Sequence, residues 1–259
     1  MEELTLLILG AGWTSTFLIP HLQSHNIPFA ATTTSGHPVA DHPTIPFKFD
    51  PSAPAEETHS AIAALPRARY ILITFPLTGT GPSKLLVETY TATHRSAAAS
   101  SPNPDSEPRF IQLGSSGIWQ QQQQQQQPST ESSSPGQSRS EDPWLTRHSP
   151  YATTNPRAVA EDELLALSGC VLNLSGLWGG ARQPRNWGGR VAATKEAVRG
   201  KKSLHLIHGE DIARAIAAIV QSGDGAWAAK GRAAVDGDGR FVYDWWALLA
   251  GWRMRGRGR

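Results

Sequence analysis

LLILGAGWTSTFL, which runs from Leu6 to Leu18, is the stretch that decides the fold. Its first part belongs to LTLLIL, Leu4 to Leu9, a continuous apolar run that ends at a glycine, as a strand buried on both faces of a parallel sheet does. Its second part changes to a helical spacing of apolar residues, at Phe17 and Leu18 and then Leu22. The stretch therefore predicts a buried strand, a tight Gly-x-Gly turn and a helix in immediate succession.

A turn of this kind suits the pyrophosphate of a dinucleotide. Backbone N–H groups and the positive end of the helix face the phosphates, the first glycine permits the bend, and the second lets a phosphate come near. Gly10 and Gly12 take these two places, Trp13 and Thr14 follow, and Ser15 stands where a third glycine is usual. Serine is small, so the pattern is weakened and not lost. A plain strand-to-helix turn would contain the same glycines, and the motif alone leaves both interpretations open.

The end of the next strand bears on the form of the cofactor. An acidic residue about 20 positions after the turn would bind the 2′-hydroxyl of NAD, whereas a cation would favour the 2′-phosphate of NADP. ATTTSGH, Ala31 to His37, contains no acid and no arginine. Thr33 and Thr34 are the candidate contacts. Because hydroxyls and a histidine can bind a phosphate, the sequence favours NAD(P) with a slight preference for NADP.

Strands and helices alternate along most of the chain. The predicted strands after the first are Pro28–Thr34, Ile45–Asp50, Arg69–Pro76, Arg109–Ser116 and Cys170–Gly176. The predicted helices are Glu56–Leu65, Lys84–His94, Asn155–Leu167, the end of Leu204–Val220 and a capping helix within Phe241–Trp252. Such alternation predicts an α/β fold with a doubly wound parallel sheet of the Rossmann type.

Charge and cysteine content exclude several classes of protein. The 24 basic and 22 acidic side chains give a net charge of +2, too weak a field to favour nucleic acid as a partner. Cys170 is the only cysteine, so no internal disulfide and no cysteine cluster for zinc is expected, and a reducing compartment fits best. The first apolar run breaks at Gly10 and predicts neither a signal peptide nor a membrane span. We expect a cytoplasmic protein without a membrane partner, and the sequence does not predict its oligomeric state.

Residues 120–141 differ in composition from the rest of the chain. Gln120 to Gln127 is an unbroken glutamine run, and PSTESSSPGQSRSED follows it. Such a segment cannot bury enough apolar surface to offset the entropy of ordering its backbone. We expect a disordered, Gln/Ser-rich insertion over residues 120–141.

Four stretches, in order along the chain, are similar to the motifs of a known family. They are GAGWTST at the turn, LGSSGIW (Leu113–Trp119), GLWGGAR (Gly176–Arg182) and LIHGEDIARAI (Leu206–Ile216). Together they resemble the short-chain dehydrogenase/reductase superfamily, in its extended NAD-dependent epimerase/dehydratase branch, and more closely its atypical YeeZ-type members. The resemblance spans most of the chain from Leu4 to Val220.

The resemblance implies a division of the chain and a class of reaction. Residues 1–119 and 142–220 would form the NAD(P)-binding Rossmann domain, elements of 177–205 and 221–252 a small C-terminal substrate lobe, and 253–259 a basic, solvated tail. The implied activity is that of an NAD(P)-dependent oxidoreductase or epimerase/dehydratase-like enzyme. Its implied substrate is a small hydroxyl or carbonyl compound, or a molecule like a sugar nucleotide.

Further cofactor contacts follow from the same resemblance. Asp50 ends the predicted third strand, where members of the family often contact adenine, although an ordinary turn aspartate fits equally well. Phe75 and Pro76, at the end of the predicted fourth strand, complete the candidate cofactor contacts. Trp119 and Trp178, together with Trp187, fall in segments that would line the substrate cleft.

Catalysis in the family uses a serine, a tyrosine and a lysine. A tyrosine whose pKa is lowered by a neighbouring ammonium can pass a proton near neutral pH, while the serine hydrogen-bonds the same substrate oxygen. In LGSSGIW the serine position falls on Ser115. With Glu161 as the anchor of the helix pattern, the lysine position falls on Arg157 and the tyrosine position on Thr153.

The tyrosine is therefore missing from its place, and the sequence allows three interpretations of the chemistry. Tyr151 stands two residues earlier, in a loop that could shift it. Arg157 keeps a positive charge that could hold a ribose or stabilise an oxyanion, but it cannot shuttle protons as lysine does. Either Tyr151 has taken over, or the chemistry has changed, or catalysis has been lost and the protein is a dinucleotide-binding sensor or scaffold.

Overall fold

The structure, a computed structural model, describes residues 4–95, 107–119, 149–191, 193–199, 204–221, 232–235 and 242–243. The predicted insertion, the predicted basic tail and most of the segment 221–252 lie outside these ranges. No helix within them is long and apolar enough to cross a lipid bilayer.

The strands form two sheets. They are β1 (Leu4–Leu9), β2 (Phe29–Thr33), β3 (Ile45–Pro46), β4 (Ala68–Ile73), β5 (Arg109–Ser115), β6 (Cys170–Leu174), β7 (Gly176–Trp178), β8 (Leu204–His208), β9 (Arg232–Val235) and β10 (Val242–Tyr243). The larger sheet has seven strands in the order β3-β2-β1-β4-β5-β6-β9, and every neighbouring pair is parallel. The strand order reverses at β1, which is the doubly wound arrangement, so the predicted Rossmann-type fold is confirmed.

Helices cover both faces of this sheet. They are α1 (Ser15–Ser24), α2 (Ala55–Ala63), α3 (Pro82–His94), α4 (Pro156–Ala166), α5 (Pro184–Val191), α6 (Lys195–Arg199) and α7 (Gly209–Gln221). Residues of α1 and α7 share one hydrophobic core, and residues of α2, α3 and α4 share the other. Each core lies between the sheet and one helical layer.

The apolar run of β1 is explained by burial on both faces. Leu6 and Ile8 lie in the core with α1 and α7, whereas Leu7 and Leu9 lie in the opposite core with α3. All four side chains are fully buried. The strand pairs with β2 on one side and β4 on the other, so it ends at an inner position of the sheet.

The third strand is shorter than the predicted Ile45–Asp50. Only Ile45 and Pro46 pair with β2. Pro46 has no N–H to continue a ladder, and it is tolerated because β3 lies at the edge of the sheet. Phe47 donates one further backbone bond to Thr33 and then turns its side chain into the core, where it is 8% exposed. The apolar residues after Pro46 thus reflect packing and not strand pairing.

A smaller sheet joins β7, β8 and β10. β7 and β8 are parallel, and β10 is antiparallel to β8. The start of the predicted capping helix, Val242 and Tyr243, is β10 instead, because these residue types favour strands and β8 offers an edge for pairing. Residues 232–235, which the sequence places in the lobe segment, form β9 beside β6. The division into domain and lobe otherwise stays a prediction.

Candidate functional site

The glycine turn lies between β1 and α1, at the carboxyl end of an inner strand. Gly10 has a φ of +84°, a conformation that favours glycine. A Cβ atom there would also lie 2.8 Å from Cδ1 of Phe75. The turn is held to β2 because Gly10 N–H donates to Thr32 Oγ1 at 3.0 Å and Ala11 N–H donates to the Thr32 carbonyl at 2.6 Å. Conformation and space therefore both require glycine at this position.

Three consecutive amides at the start of α1 have no acceptor among the described residues. Within the part of the chain that the structure describes, the N–H groups of Gly12, Trp13 and Thr14 make no hydrogen bond, and helical bonding begins with Ser15 N–H donating to the Gly12 carbonyl. Gly12 is exposed, and a Cβ there would meet only the Gly10 carbonyl oxygen, at 3.8 Å. Unpaired amides at the positive end of a helix are the arrangement that binds phosphate. The turn thus fits a pyrophosphate group.

Ser15 lies on the inner side of the same turn. It is fully buried, and its hydroxyl oxygen has no hydrogen-bond partner among the described residues. Burial at this point leaves room only for a small side chain, which explains how serine can replace the third glycine of the motif.

The two predicted threonine contacts at the end of β2 differ in exposure. Thr33 is 3% exposed, and its hydroxyl group hydrogen-bonds Thr44 Oγ1 at 2.8 Å and the His37 carbonyl at 3.4 Å. These bonds fasten the loop that follows β2. Thr34 and Ser35 are exposed, and Ser35 Oγ lies 3.0 Å from His37 Nδ1. Thr34 is therefore the threonine whose hydroxyl is open to a ligand.

The remaining predicted cofactor contacts lie on two loops. Asp50 Oδ1 accepts from the backbone N–H of Ser52 at 3.0 Å and from its hydroxyl at 2.6 Å, and these bonds lower the pKa of the Asp50 carboxyl group. The bonding is that of an Asx turn, which fits the ordinary interpretation of this aspartate. Phe75 faces Gly10 and stacks on Phe49 with ring centroids 6.0 Å apart, while Pro76 is exposed.

Ser115 lies at the carboxyl end of β5, and its backbone is held by two buried polar side chains. Its N–H donates to Glu161 Oε1 at 3.4 Å, and its carbonyl accepts from Asn173 Nδ2 at 3.3 Å. Asn173 Nδ2 also donates to Glu161 Oε2 at 2.7 Å. The Ser115 hydroxyl accepts from Gly117 N–H at 3.2 Å. The hydroxyl proton of Ser115 is thus available to an incoming oxygen.

Glu161, which the sequence pattern used only as an anchor, is a buried residue in direct contact with the end of β5. It is fully buried, although it is a charged residue type. It lies so close to β5 that a Cβ on Gly114 would be 2.7 Å from Glu161 Oε1 and 2.6 Å from Asn173 Nδ2. Gly114 is therefore required for α4 to approach the sheet. The signal in the sequence is an acid between Ala158 and Leu164, on the apolar side of the helix.

Tyr151 is directed to α4. Its hydroxyl donates to Asp162 Oδ1 at 2.8 Å, and its ring packs with Trp119 in a small apolar cluster. Ser115 makes no hydrogen bond with Tyr151 among the described residues. Trp119 is 4% exposed, and its Nε1 donates to the Ser149 carbonyl at 2.9 Å. Trp119 is thus part of a core. Its sequence position suggested that it would line an open cleft, and it does not.

Arg157 and Thr153 occupy the lysine and tyrosine positions of the family pattern. Arg157 lies one helical turn before Glu161, which reaches β5, so the spacing places both on the sheet side of α4. The Nε of Arg157 is buried and has no hydrogen-bond partner in the described ranges. Thr153 is exposed. This spacing puts Arg157 at the same end of the sheet as Ser115, and among the described residues no hydrogen bond joins a tyrosine to either of them.

A second group of residues adjoins the glycine turn from the small sheet. Trp13 Nε1 donates to the Gly179 carbonyl at 3.3 Å, and the guanidinium carbon of Arg182 lies 4.6 Å from the centroid of the Trp13 ring. The His208 ring lies edge-on to Phe17 and to Trp178, at centroid distances of 5.3 and 4.6 Å. Trp178 is half-buried in this group. The residues of GLWGGAR thus contact the first turn of α1.

Solved structures with the same fold are found among proteins of the predicted class. A Methylobacillus flagellatus protein assigned as an NAD-dependent epimerase/dehydratase has a TM-score of 0.61 and 15% identity, with 97% of this chain and 81% of that chain covered. The UDP-glucose 4-epimerase of Thermus thermophilus, in complex with NAD, has a TM-score of 0.58 and 13% identity, with 98% and 84% covered. A short-chain dehydrogenase/reductase superfamily protein of Agrobacterium tumefaciens, with bound NAD, has a TM-score of 0.55 and 12% identity, with 95% and 81% covered.

These likenesses concern the fold. No protein-family model and no curated protein sequence matches the chain. The resemblance inferred from the four motifs is confirmed at the level of architecture: the chain has the α/β fold of the epimerase and short-chain dehydrogenase/reductase structures.

Proposed function

We propose that the chain is an NAD(P)-dependent enzyme, an oxidoreductase or an epimerase/dehydratase-like enzyme, that binds the pyrophosphate of its cofactor at the turn from Gly10 to Ser15. The observation that most supports this proposal is the run of three unpaired amides, on Gly12, Trp13 and Thr14, at the positive end of α1. The bound NAD in the Thermus thermophilus and Agrobacterium tumefaciens structures supports the same class of cofactor.

The two ends of the cofactor would lie along the carboxyl edge of the sheet, one on each side of β1. The adenosine end would extend toward β2, where Thr34 is exposed and no acidic side chain follows through His37. This composition supports the preference for NADP, which stays a prediction. Phe75, which faces Gly10, would border the turn, and Asp50 contributes less because its carboxylate is bonded to Ser52.

The chemistry would take place at the end of β5. The bound nicotinamide would supply hydride transfer. The Ser115 hydroxyl would donate a hydrogen bond to a substrate carbonyl or hydroxyl oxygen, and Arg157, a permanent cation, would stabilise negative charge on that oxygen. Proton transfer needs a further group, and Tyr151 would have to leave Asp162 to serve. The substrate class stays that of small hydroxyl, carbonyl or sugar-nucleotide-like molecules.

Calorimetric titration with NADPH and NADH tests the binding proposal. We expect saturable binding of both, tighter for NADPH. Gly12→Asp places a carboxylate at the phosphate position in open space, so it should abolish binding and leave the thermal midpoint nearly unchanged. Gly189→Asp is the matched control, because a Cβ at Gly189 likewise has free space, with nothing within 4 Å. Absence of wild-type binding at millimolar concentration would remove the proposal.

A second candidate function is a catalytically inactive dinucleotide sensor or scaffold. The Tyr151 hydroxyl bonds Asp162 and not Ser115, and Thr153 occupies the tyrosine position, which favours this alternative. It predicts dinucleotide binding without turnover on a broad panel of carbonyl compounds and sugar nucleotides. A measurable rate that Tyr151→Phe abolishes would dismiss it.

The remaining proposals concern partners and location. We propose a small molecule as the ligand and no nucleic-acid partner, because the net charge is only +2. A cytoplasmic location stays a prediction that rests on the single cysteine. That residue, Cys170, is half-buried, and burial raises the pKa of its thiol to about 11, which disfavours the reactive thiolate at neutral pH.

A further inference from the structure

The glycine turn has no charged residue of its own. From Gly10 to His37 the sequence contains no lysine, arginine, aspartate or glutamate. A pyrophosphate carries full negative charges, whereas backbone amides and a helix terminus offer only partial positive charge. A lysine or arginine that strengthens binding at this site would therefore come from a distant part of the chain.

The fold brings Arg182 to this place. Its guanidinium carbon lies 4.6 Å from the centroid of the Trp13 ring, a cation–π arrangement. Trp13 is also one of the three residues with an unpaired amide. A cation thus contacts a residue of the glycine turn, although the two residues are far apart in sequence.

The turn that bears Arg182 is held in position by several contacts. Gly179 and Arg182 exchange two backbone hydrogen bonds, of 3.2 and 2.9 Å, and the Gly179 carbonyl accepts from Trp13 Nε1. Gly179 has a φ of +118°, and a Cβ there would lie 2.4 Å from His208 Nε2. Glycine at this position therefore allows the turn to pack against β8 and α1 together.

The guanidinium of Arg182 is open to a ligand. The side chain is exposed, and within the described ranges it has neither a carboxylate partner nor a hydrogen-bond acceptor. An arginine presents a planar fork of N–H donors that matches the oxygens of a phosphate. Stacking on Trp13 restricts the side chain before a ligand arrives, which reduces the entropy lost on binding.

We propose that Arg182 binds a phosphate of the dinucleotide and completes the pyrophosphate site from the side of the small sheet. This inference rests on the proposed function, because it concerns the same ligand. The amides of Gly12, Trp13 and Thr14 would bind one side of the pyrophosphate and the guanidinium another. Trp13 would serve both, through its amide and through its ring.

The test is titration of Arg182→Ala with NADH, NADPH, ADP and adenosine at low and at physiological salt. We expect the dissociation constants of NADH, NADPH and ADP to rise by about tenfold each, as for loss of one charge-assisted hydrogen bond, and that of adenosine to stay unchanged. The salt dependence of ADP binding should also weaken. Arg182→Lys, which keeps the charge and loses the fork, should be intermediate.

Arg185→Ala is the matched control, because Arg185 is also exposed and lies three residues further on. It should change none of the four constants. Equal ADP binding by Arg182→Ala and the wild type would overturn the inference and leave the proposed function intact. A loss confined to NADPH would assign Arg182 to the 2′-phosphate instead, and an equal loss for adenosine would show a general structural defect; both overturn it. Failure of the wild-type protein to bind any of the dinucleotides would remove the proposed function itself and the inference with it.

Discussion

The glycine turn and the serine side, the latter formed by Ser115, Tyr151, Arg157 and Glu161, are two halves of one candidate site built in different ways. The turn is made of backbone amides, which any residue supplies once Gly10 allows the bend. The serine side is made of side chains, each of which must be present and correctly directed. The turn accordingly keeps the geometry of a phosphate site, whereas the serine side lacks a tyrosine at Thr153 and directs Tyr151 to Asp162. A backbone site thus tolerates sequence change that a side-chain site does not.

The largest expected effect is on the serine side. Glu161→Ala would remove the buried acceptor of the Ser115 N–H and one of the two acceptors of Asn173 Nδ2, and it would open a cavity, so the free energy of unfolding should fall by about 3 to 5 kcal/mol. Chemical denaturation monitored by circular dichroism measures this.

Glu163→Ala is the matched control on the same helix. Glu163 is partly exposed and accepts from the N–H groups of Gly81 and Lys84 at the start of α3, so it should cost about 1 kcal/mol, as loss of a helix cap does. Equal losses for the two variants would contradict a special role of the buried carboxylate.

The next effect tests the turn. Gly10→Ala combines a positive φ with a contact to Phe75, so we expect a loss of about 2 to 4 kcal/mol in stability and loss of dinucleotide binding. Gly79→Ala is matched in conformation, with a φ of +77°, but a Cβ there meets nothing within 4 Å. It should show only the conformational cost, about 1 to 2 kcal/mol. Binding that survives in Gly10→Ala would show that the turn is not the phosphate site.

A smaller effect is expected for Tyr151→Phe. The variant loses the hydrogen bond to Asp162, and because Asp162 is only partly buried, water can replace the phenol. The free energy of unfolding should fall by about 1 kcal/mol or less, and the dissociation constants of dinucleotides should not change. Weaker dinucleotide binding would place Tyr151 closer to the cofactor than its bond to Asp162 indicates.

The last prediction lies outside both halves of the site and concerns the start of β6, where no effect on dinucleotide binding is expected. Burial raises the pKa of the Cys170 thiol from 9.0 to about 11, so at neutral pH the native protein should react with iodoacetamide about a hundredfold more slowly than the unfolded chain. Because the unfolded thiol ionises first, stability conferred by the protonated thiol is complete below pH 9 and falls as the pH rises toward about 11. Rapid alkylation of the native protein would show that β6 is more open than the structure has it.

The turn could be predicted from the sequence because its determinants are local. The bounds of β1 follow from a run of residues buried on both faces, and Gly10, Gly12 and Ser15 lie within six positions of one another. The third strand could not be predicted to its end, since apolar residues after Pro46 pack into a core as readily as they pair.

The geometry of the serine side could not be predicted, because it depends on contacts that sequence spacing does not reveal. The Glu161–Asn173 bond requires α4 to pass over Gly114, which depends on how β5 and β6 align. The partner of Tyr151 could not be predicted either, because Asp162 and Ser115 are both polar groups within reach of a loop. The sequence presents Arg182 only as the last residue of GLWGGAR, because its approach to Trp13 arises from tertiary packing.

The hydrogen bond from Trp119 to Ser149 brings together two points thirty positions apart, on either side of the glutamine-rich stretch. A segment whose two ends meet can be exchanged for another of different length at little thermodynamic cost, since closure entropy depends only on the logarithm of length. Replacing residues 120–141, which the sequence predicts to be disordered, with a short glycine-serine bridge should shift stability by only about 1 kcal/mol. We expect the same junction to accept an inserted fluorescent or affinity domain.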